Sequence, residues 1–178
     1  MGTKEELFAL CKKRGGCELD ELTYQECANF LFLTSWFEER LFSDKMHQNP
    51  KNDEKICCEL VHKINLSDFD FMGDHYCERY LKDDTTTKEY RNLKLSKEVS
   101  EKVLKPLQNF QRKRERSWEL LYAYLMIVYR FRNNMFHGAK GLINLNKYVK
   151  QFQINNQFLY KLIDIIFECG YYGYNEKK

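Results

Sequence analysis

Proline and glycine are scarce, with 2 prolines and 8 glycines in 178 residues. That is too few turn formers for the many tight connections of an all-β sandwich or barrel, and long helices become the default. No two of the seven cysteines (Cys11, Cys17, Cys27, Cys57, Cys58, Cys77, Cys169) are spaced C-x-x-C, and none has a histidine at zinc-finger spacing. A metal site built from them is therefore not expected. No apolar run reaches membrane length: the longest, from Leu120 to Tyr129, is about half of what a bilayer requires. The opening MGTKEELFALCKKRGG lacks a basic region followed by an apolar core, so no secretory signal is read, and the cysteines are expected as reduced core residues of a cytoplasmic protein with no membrane partner. A strong charge imbalance is missing too. Lys plus Arg number 29 against 26 Asp plus Glu, a net charge of +3, so only a local basic patch could support a nucleic-acid partner.

What is present is a composition of 43% hydrophobic and 31% charged residues, enough apolar material for one core and one domain. Thr3 with Glu6, and Thr23 with Glu26, read as capping boxes that open a short helix ending at Gly15 and Gly16 and a longer one through about Leu41. Asn49, Pro50 and Asn52 read as a loop, Asp53 to Ile64 as a helix, and Ser67 to Leu81 as a weaker one. Lys82 to Asn92 reads as a surface connection. Ser96 then caps a helix to about Phe110 that Pro106 kinks or divides; a very apolar helix follows from about Glu115 to Phe136, stopping near Gly138 and Gly141, and a last one spans Asn144 to Cys169. No convincing strand emerges, so the expected fold is an all-α, compact multi-helix bundle over residues 1–178, with N-terminal helices in 3–92 and core helices in 96–170.

Chemistry concentrates at the end of the apolar helix. Trp118, Leu121, Tyr122, Leu125, Val128 and Tyr129 share one stripe, and the next position on it is Arg132. A guanidinium there needs an anion, a cleft or a subunit boundary, because leaving it unpaired among apolar groups costs several kcal/mol, as a rough figure. Asn133 and His137 are four apart on one face, so the amide is placed to orient the imidazole. A plain helix C-terminus would account for Arg132 and Gly138 but not for Asn133 with His137.

The segment RNNMFHG, Arg132 to Gly138, resembles the R-N-x-x-x-H signature of the HEPN superfamily of small helical domains, in which it lies at the end of one core helix and leads into the next. The resemblance implies a four-helix HEPN-like core and a metal-independent endoribonuclease, free of cofactors, that cleaves single-stranded RNA in a cleft shared by two subunits of a homodimer. It further implies a prokaryotic toxin or antiviral defence effector, with an antitoxin or another defence component as a possible partner. In that reading His137 is base or acid, Arg132 stabilises the phosphate charge, and Asn133 orients His137 or touches the phosphate. Some members that serve as toxins beside a nucleotidyltransferase antitoxin carry a tyrosine two residues after the histidine, where modification silences them; here the position is Ala139, so control of that kind is not expected. The alternative from another class is a non-catalytic HEPN-like module that binds a nucleotide or a protein.

The run QRKRER offers Arg112, Lys113, Arg114 and Arg116, joined by Lys140 beyond the motif, either as RNA-backbone contacts or as a solvated helix face. Asn155 and Asn156 interrupt the last apolar stripe; they could line the cleft, fix dimer register, kink the helix or lie exposed. His47, His62 and His75 read as surface or partly buried side chains, and most of the 12 tyrosines and 13 phenylalanines as core.

Overall fold

The computed structural model describes residues 4–15, 19–42, 50–83, 85–136 and 142–171. The chain folds as an all-α bundle: α1 (Lys4–Gly15), α2 (Glu21–Phe42), α3 (Pro50–Leu60), α4 (Asp70–Tyr80), α5 (Lys88–Arg91), α6 (Lys97–Lys113), α7 (Trp118–Phe136) and α8 (Val149–Glu168). At the centre lies α7, whose residues Leu120 to Val128 are buried without interruption. Such a run has no solvent face, so neighbours must cover it on all sides. Helices α6 and α3 pack along it, while α2 pairs with α8 and α4 bridges α6 to α8. No helix among the described residues is long and apolar enough to cross a membrane.

Several boundaries differ from the sequence reading, each for a local reason. Asp20, not Thr23, caps α2: its Oδ1 accepts from the Thr23 amide at 2.7 Å and its Oδ2 from the Thr23 hydroxyl at 3.0 Å. Aspartate caps at least as well as threonine, which leaves Glu26 free to accept from Asn156 at 2.7 Å. Pro50 opens α3 instead of lying in a loop, since the first helical turn needs no proline amide. Pro106 neither ends nor divides α6, which runs on to Lys113 and closes on Arg114 in the left-handed conformation with φ 53°. The last helix is preceded by a 3-10 turn, Leu142–Tyr148, and becomes α-helical only at Val149. Thr3, with its capping box, lies outside the described residues.

The connection after α4 holds more order than its polar sequence suggests. Leu81 and Lys82 (β1) pair antiparallel with Thr86 and Thr85 (β2), a two-residue ladder where no strand was expected. Thr87 then caps α5 by accepting from the Tyr90 amide at 3.2 Å. Tyr90 and Leu93 are buried, so this stretch is part of the core as well as surface.

Helix α4 approaches α6 and α7 very closely at Gly73, where a Cβ would overlap the Phe110 ring and stand 2.5 Å from the Tyr124 hydroxyl. Gly73→Ala would gain about 1 kcal/mol of helix propensity, but overpacking a buried junction costs about 1–3 kcal/mol. Phe110 is 1% exposed and has nowhere to retreat. Gly73→Ala is therefore expected to lower the denaturation midpoint, measured by urea unfolding; an unchanged or raised midpoint would mean that the junction yields.

A buried polar chain ties α4 to α8. Gln151 donates from Nε2 to Asn155 Oδ1 at 2.9 Å, Tyr76 donates to the same oxygen at 2.8 Å, and His75 Nε2 lies 3.0 Å from Gln151 Oε1. With the Gln151 amide nitrogen already donating, its oxygen must accept, so His75 carries its proton on Nε2. His75 is 9% exposed, which places it inside the core. Asn155 is likewise interior and not exposed.

Burial lowers the His75 pKa below 6.5, and the nearby Arg79 adds to this against the opposing hydrogen bond that His75 donates to the Gln151 oxygen. The unfolded imidazole binds protons first, so this contribution to stability is complete above a pH of ~6.5 and is lost as pH falls below it. Asp70, whose carboxyl is held below 3.8 chiefly by its hydrogen bond to Arg116, acts at lower pH. Thermal melts are expected to show a lower midpoint at pH 5 than at pH 7, with His75→Gln flattening that part of the slope. An equal slope in the variant would assign the effect to another group.

Candidate functional site at the end of α7

The C-terminal half of α7 is held on one face by two side chains four residues apart. Arg130 donates to the carbonyls of Leu93 and Lys94 at 3.1 and 3.0 Å, and Asn134 to those of Asn92 and Leu93 at 3.0 and 3.3 Å. Both grip the turn between α5 and α6. Asn134 is 5% exposed, so the second asparagine of the motif is a structural anchor. Sequence reasoning missed this pair; their i, i+4 spacing was the available signal.

Arg132 lies on another side, toward α2. Its side chain is 29% exposed, and Nη2 is 3.6 Å from Oε2 of Glu38, itself 12% exposed. Of the anion, cleft or subunit boundary that the stripe calls for, the described residues show an anion, a glutamate of α2. Glu38 follows Phe37 of the buried series Phe30, Thr34, Phe37, Leu41, but nothing in the sequence separates it from its exposed neighbour Glu39. Arg132 Nη1 also donates to Asn133 Oδ1 at 3.0 Å. The first motif asparagine therefore points its oxygen at the guanidinium. His137, Gly138, Ala139 and Lys140 lie outside the described residues, as does the expected contact of Asn133 with His137.

The arrangement is a cation at the rim of an apolar core, with the Asn133 amide oxygen and the Glu38 carboxylate beside its guanidinium. A partly exposed pair at this separation is worth on the order of 1 kcal/mol. Charge-assisted hydrogen bonds to a phosphate are worth about 1.5–3 kcal/mol each and can be bidentate. A phosphodiester reaching Arg132 would accordingly displace Glu38.

The basic run is placed elsewhere and is partly neutralised. Arg116 binds Asp70 in a fork, Nε to Oδ1 at 2.8 Å and Nη2 to Oδ2 at 2.5 Å, and Arg114 pairs with Asp74 while its guanidinium stacks 4.7 Å above the Phe110 ring. These two arginines brace the α6–α7 link against α4. Arg112 and Lys113, at the end of α6, are exposed. All four lie at the far end of α7 from Arg132, which follows Trp118 by about 21 Å at the helical rise. The structure does not bring the run and the motif together.

Large apolar side chains are exposed along α2 and α8, Phe32 at 71% and Tyr160 at 68%, with Leu22 and Phe167 about half exposed. Phe32 and Tyr160 border a groove of about 770 Å³ between the two helices, and Trp36 stacks on Phe167 with ring centroids 5.0 Å apart. Among the described cysteines, Cys57 and Cys77 are buried, and burial pushes the Cys77 thiol up to about 11; Cys169 is exposed, not in the core. Comparison of the chain with protein-family models, curated proteins and solved structures finds no match.

Proposed function

We propose that the chain is a metal-independent endoribonuclease that cuts single-stranded RNA by transesterification, at a site completed by a second copy of itself. The observation that carries the reading is the state of Arg132: a guanidinium at the end of the most buried helix, oriented by Asn133 and held by an ion pair weak enough for a phosphate to replace. Attack of a ribose 2′-hydroxyl on the adjacent phosphate needs a base, an acid and positive charge on the phosphorane. Arg132 supplies the charge, and His137, five residues on, supplies one proton-transfer group. A second subunit supplies the other.

The exposed aromatic groove of α2 and α8 is the surface on which that second copy docks in this reading, because α2 also carries Glu38 and so runs beside the motif. The resemblance to HEPN ribonucleases adds the roles of toxin or defence effector and a cytoplasmic setting. The Arg132–Glu38 pair also favours a second reading, a non-catalytic module in which the guanidinium binds a nucleotide or a partner carboxylate.

Sedimentation together with cleavage tests the proposal. The wild-type chain should sediment as a dimer at micromolar concentration and cut a single-stranded RNA. His137→Ala should remain dimeric and inactive, and Phe32→Glu should be monomeric and inactive. A wild-type monomer would remove the composite site, and equal cleavage by His137→Ala would remove the histidine.

A further inference from the structure

At the other end of α7 lies a cavity of about 510 Å³ that the proposed chemistry does not use. Five of its lining side chains are glutamates (Glu54, Glu98, Glu101, Glu115, Glu119), against two lysines, Lys102 and Lys105. In a chain of net charge +3 this is a local inversion of sign. Lys102 shows what the wall does with an ammonium group: its Nζ is 2.7 Å from Glu54 and 3.0 Å from Glu98. That pairing occupies two carboxylates. Glu101, Glu115 and Glu119 form no ion pair among the described residues.

An acidic surface alone is usually just hydrated. Here the cavity also includes Tyr122, which is 1% exposed and whose hydroxyl has no hydrogen-bond partner among the described residues. A buried hydroxyl left unpaired is costly, so natural cores rarely keep one without a use. Burial, followed by the nearby Asp53 and Glu54 carboxylates and against the opposing Lys102 ammonium, pushes its pKa up to about 12. It is therefore a neutral phenol whose lone pairs can accept from a cationic N–H. Trp118 and Pro106 supply apolar wall between the carboxylates.

These features select among cations. No group of three or more His, Cys, Asp or Glu among the described residues converges tightly enough to hold a metal ion, whereas a compact divalent ion needs six or more close oxygens. Dispersed carboxylates separated by apolar wall match a ligand whose charges are dispersed in the same way. We propose that this cavity binds a linear aliphatic oligoamine, with ammonium groups on Glu101, Glu115 and Glu119, one N–H donating to Tyr122 Oη, and methylene segments along Trp118 and Pro106. Trp118 adds a cation–π surface for a nitrogen passing over it.

Trp36 and Trp118 are the two tryptophans of the chain, so a Trp36→Phe background leaves a reporter in the cavity wall. Spermidine is the probe, followed by Trp118 fluorescence and by calorimetry. The expected result is a saturable signal whose affinity falls by about tenfold in Tyr122→Phe, which keeps the ring and the packing, and by about tenfold or more in the Glu115→Gln, Glu119→Gln double variant. Circular dichroism checks that both fold. No saturable response up to millimolar spermidine would overturn the proposal, and so would unchanged affinity in Tyr122→Phe. Magnesium giving the same response at the same concentrations would also overturn it, by reducing the effect to counter-ion condensation.

Discussion

Arg132→Ala is expected to lower the rate of RNA cleavage by a factor of about 100 or more, the scale of losing the principal charge stabiliser of a transition state. The fold should survive the change. What holds α7 is the buried run from Leu120 to Val128, Phe131, and the Arg130 and Asn134 grip on the α5–α6 turn, whereas the partly exposed ion pair of Arg132 with Glu38 is worth on the order of 1 kcal/mol. Helical circular dichroism should be unchanged while activity is lost. Glu38→Gln provides the contrast, because removing the charge of this carboxylate lowers the competition that a phosphate meets at the guanidinium and should tighten RNA binding by about three- to tenfold. If Arg132→Ala unfolds the chain, the arginine is structural, and the non-catalytic reading replaces the enzyme.

The second large effect concerns the substrate. Replacing the ribose at the cleaved position by deoxyribose removes the 2′-hydroxyl that acts as nucleophile but keeps the phosphate that Arg132 recognises. Cleavage of that strand should fall below detection while its binding changes little, a separation that measures chemistry apart from affinity. Cleavage of an all-DNA strand at a comparable rate would mean that the attacking group is water, and the assignment of His137 would fail with it.

Much of the architecture was legible because helical periodicity and scarce breakers leave little else for this chain to do. The apolar run at Leu120–Tyr129 reads directly as the buried heart of α7, and Ser96 as the cap of α6, its hydroxyl accepting from the Val99 amide at 3.4 Å. What was not legible depends on partners distant in sequence. Asp20 and Thr23 compete for one cap, and in the fold Thr23 is buried with both its amide and its hydroxyl donating to Asp20. The stretch after α4 looks polar because its few buried residues, Tyr90 and Leu93, are spread among charges.

The site divides in the same way. The position of Arg132 at the edge of an apolar stripe follows from the helix wheel, and its need for an anion, a cleft or a subunit boundary follows from electrostatics. That the anion is Glu38, ninety-four residues away, does not. Likewise QRKRER reads as a basic patch until Asp70 and Asp74, on a helix far earlier in the chain, take up Arg116 and Arg114. Charge runs announce cations; only the fold decides which carboxylates they meet.

The central claim is that the substrate's own hydroxyl attacks a phosphate neutralised by Arg132, with imidazoles in place of metal ions. The most direct measurement is the identity of the fragment ends after single-stranded RNA is incubated with the purified protein in excess EDTA. The account predicts undiminished cleavage that leaves a 2′,3′-cyclic phosphate on one fragment and a 5′-hydroxyl on the other. Fragments bearing 5′-phosphates, or cleavage abolished by EDTA, would contradict it.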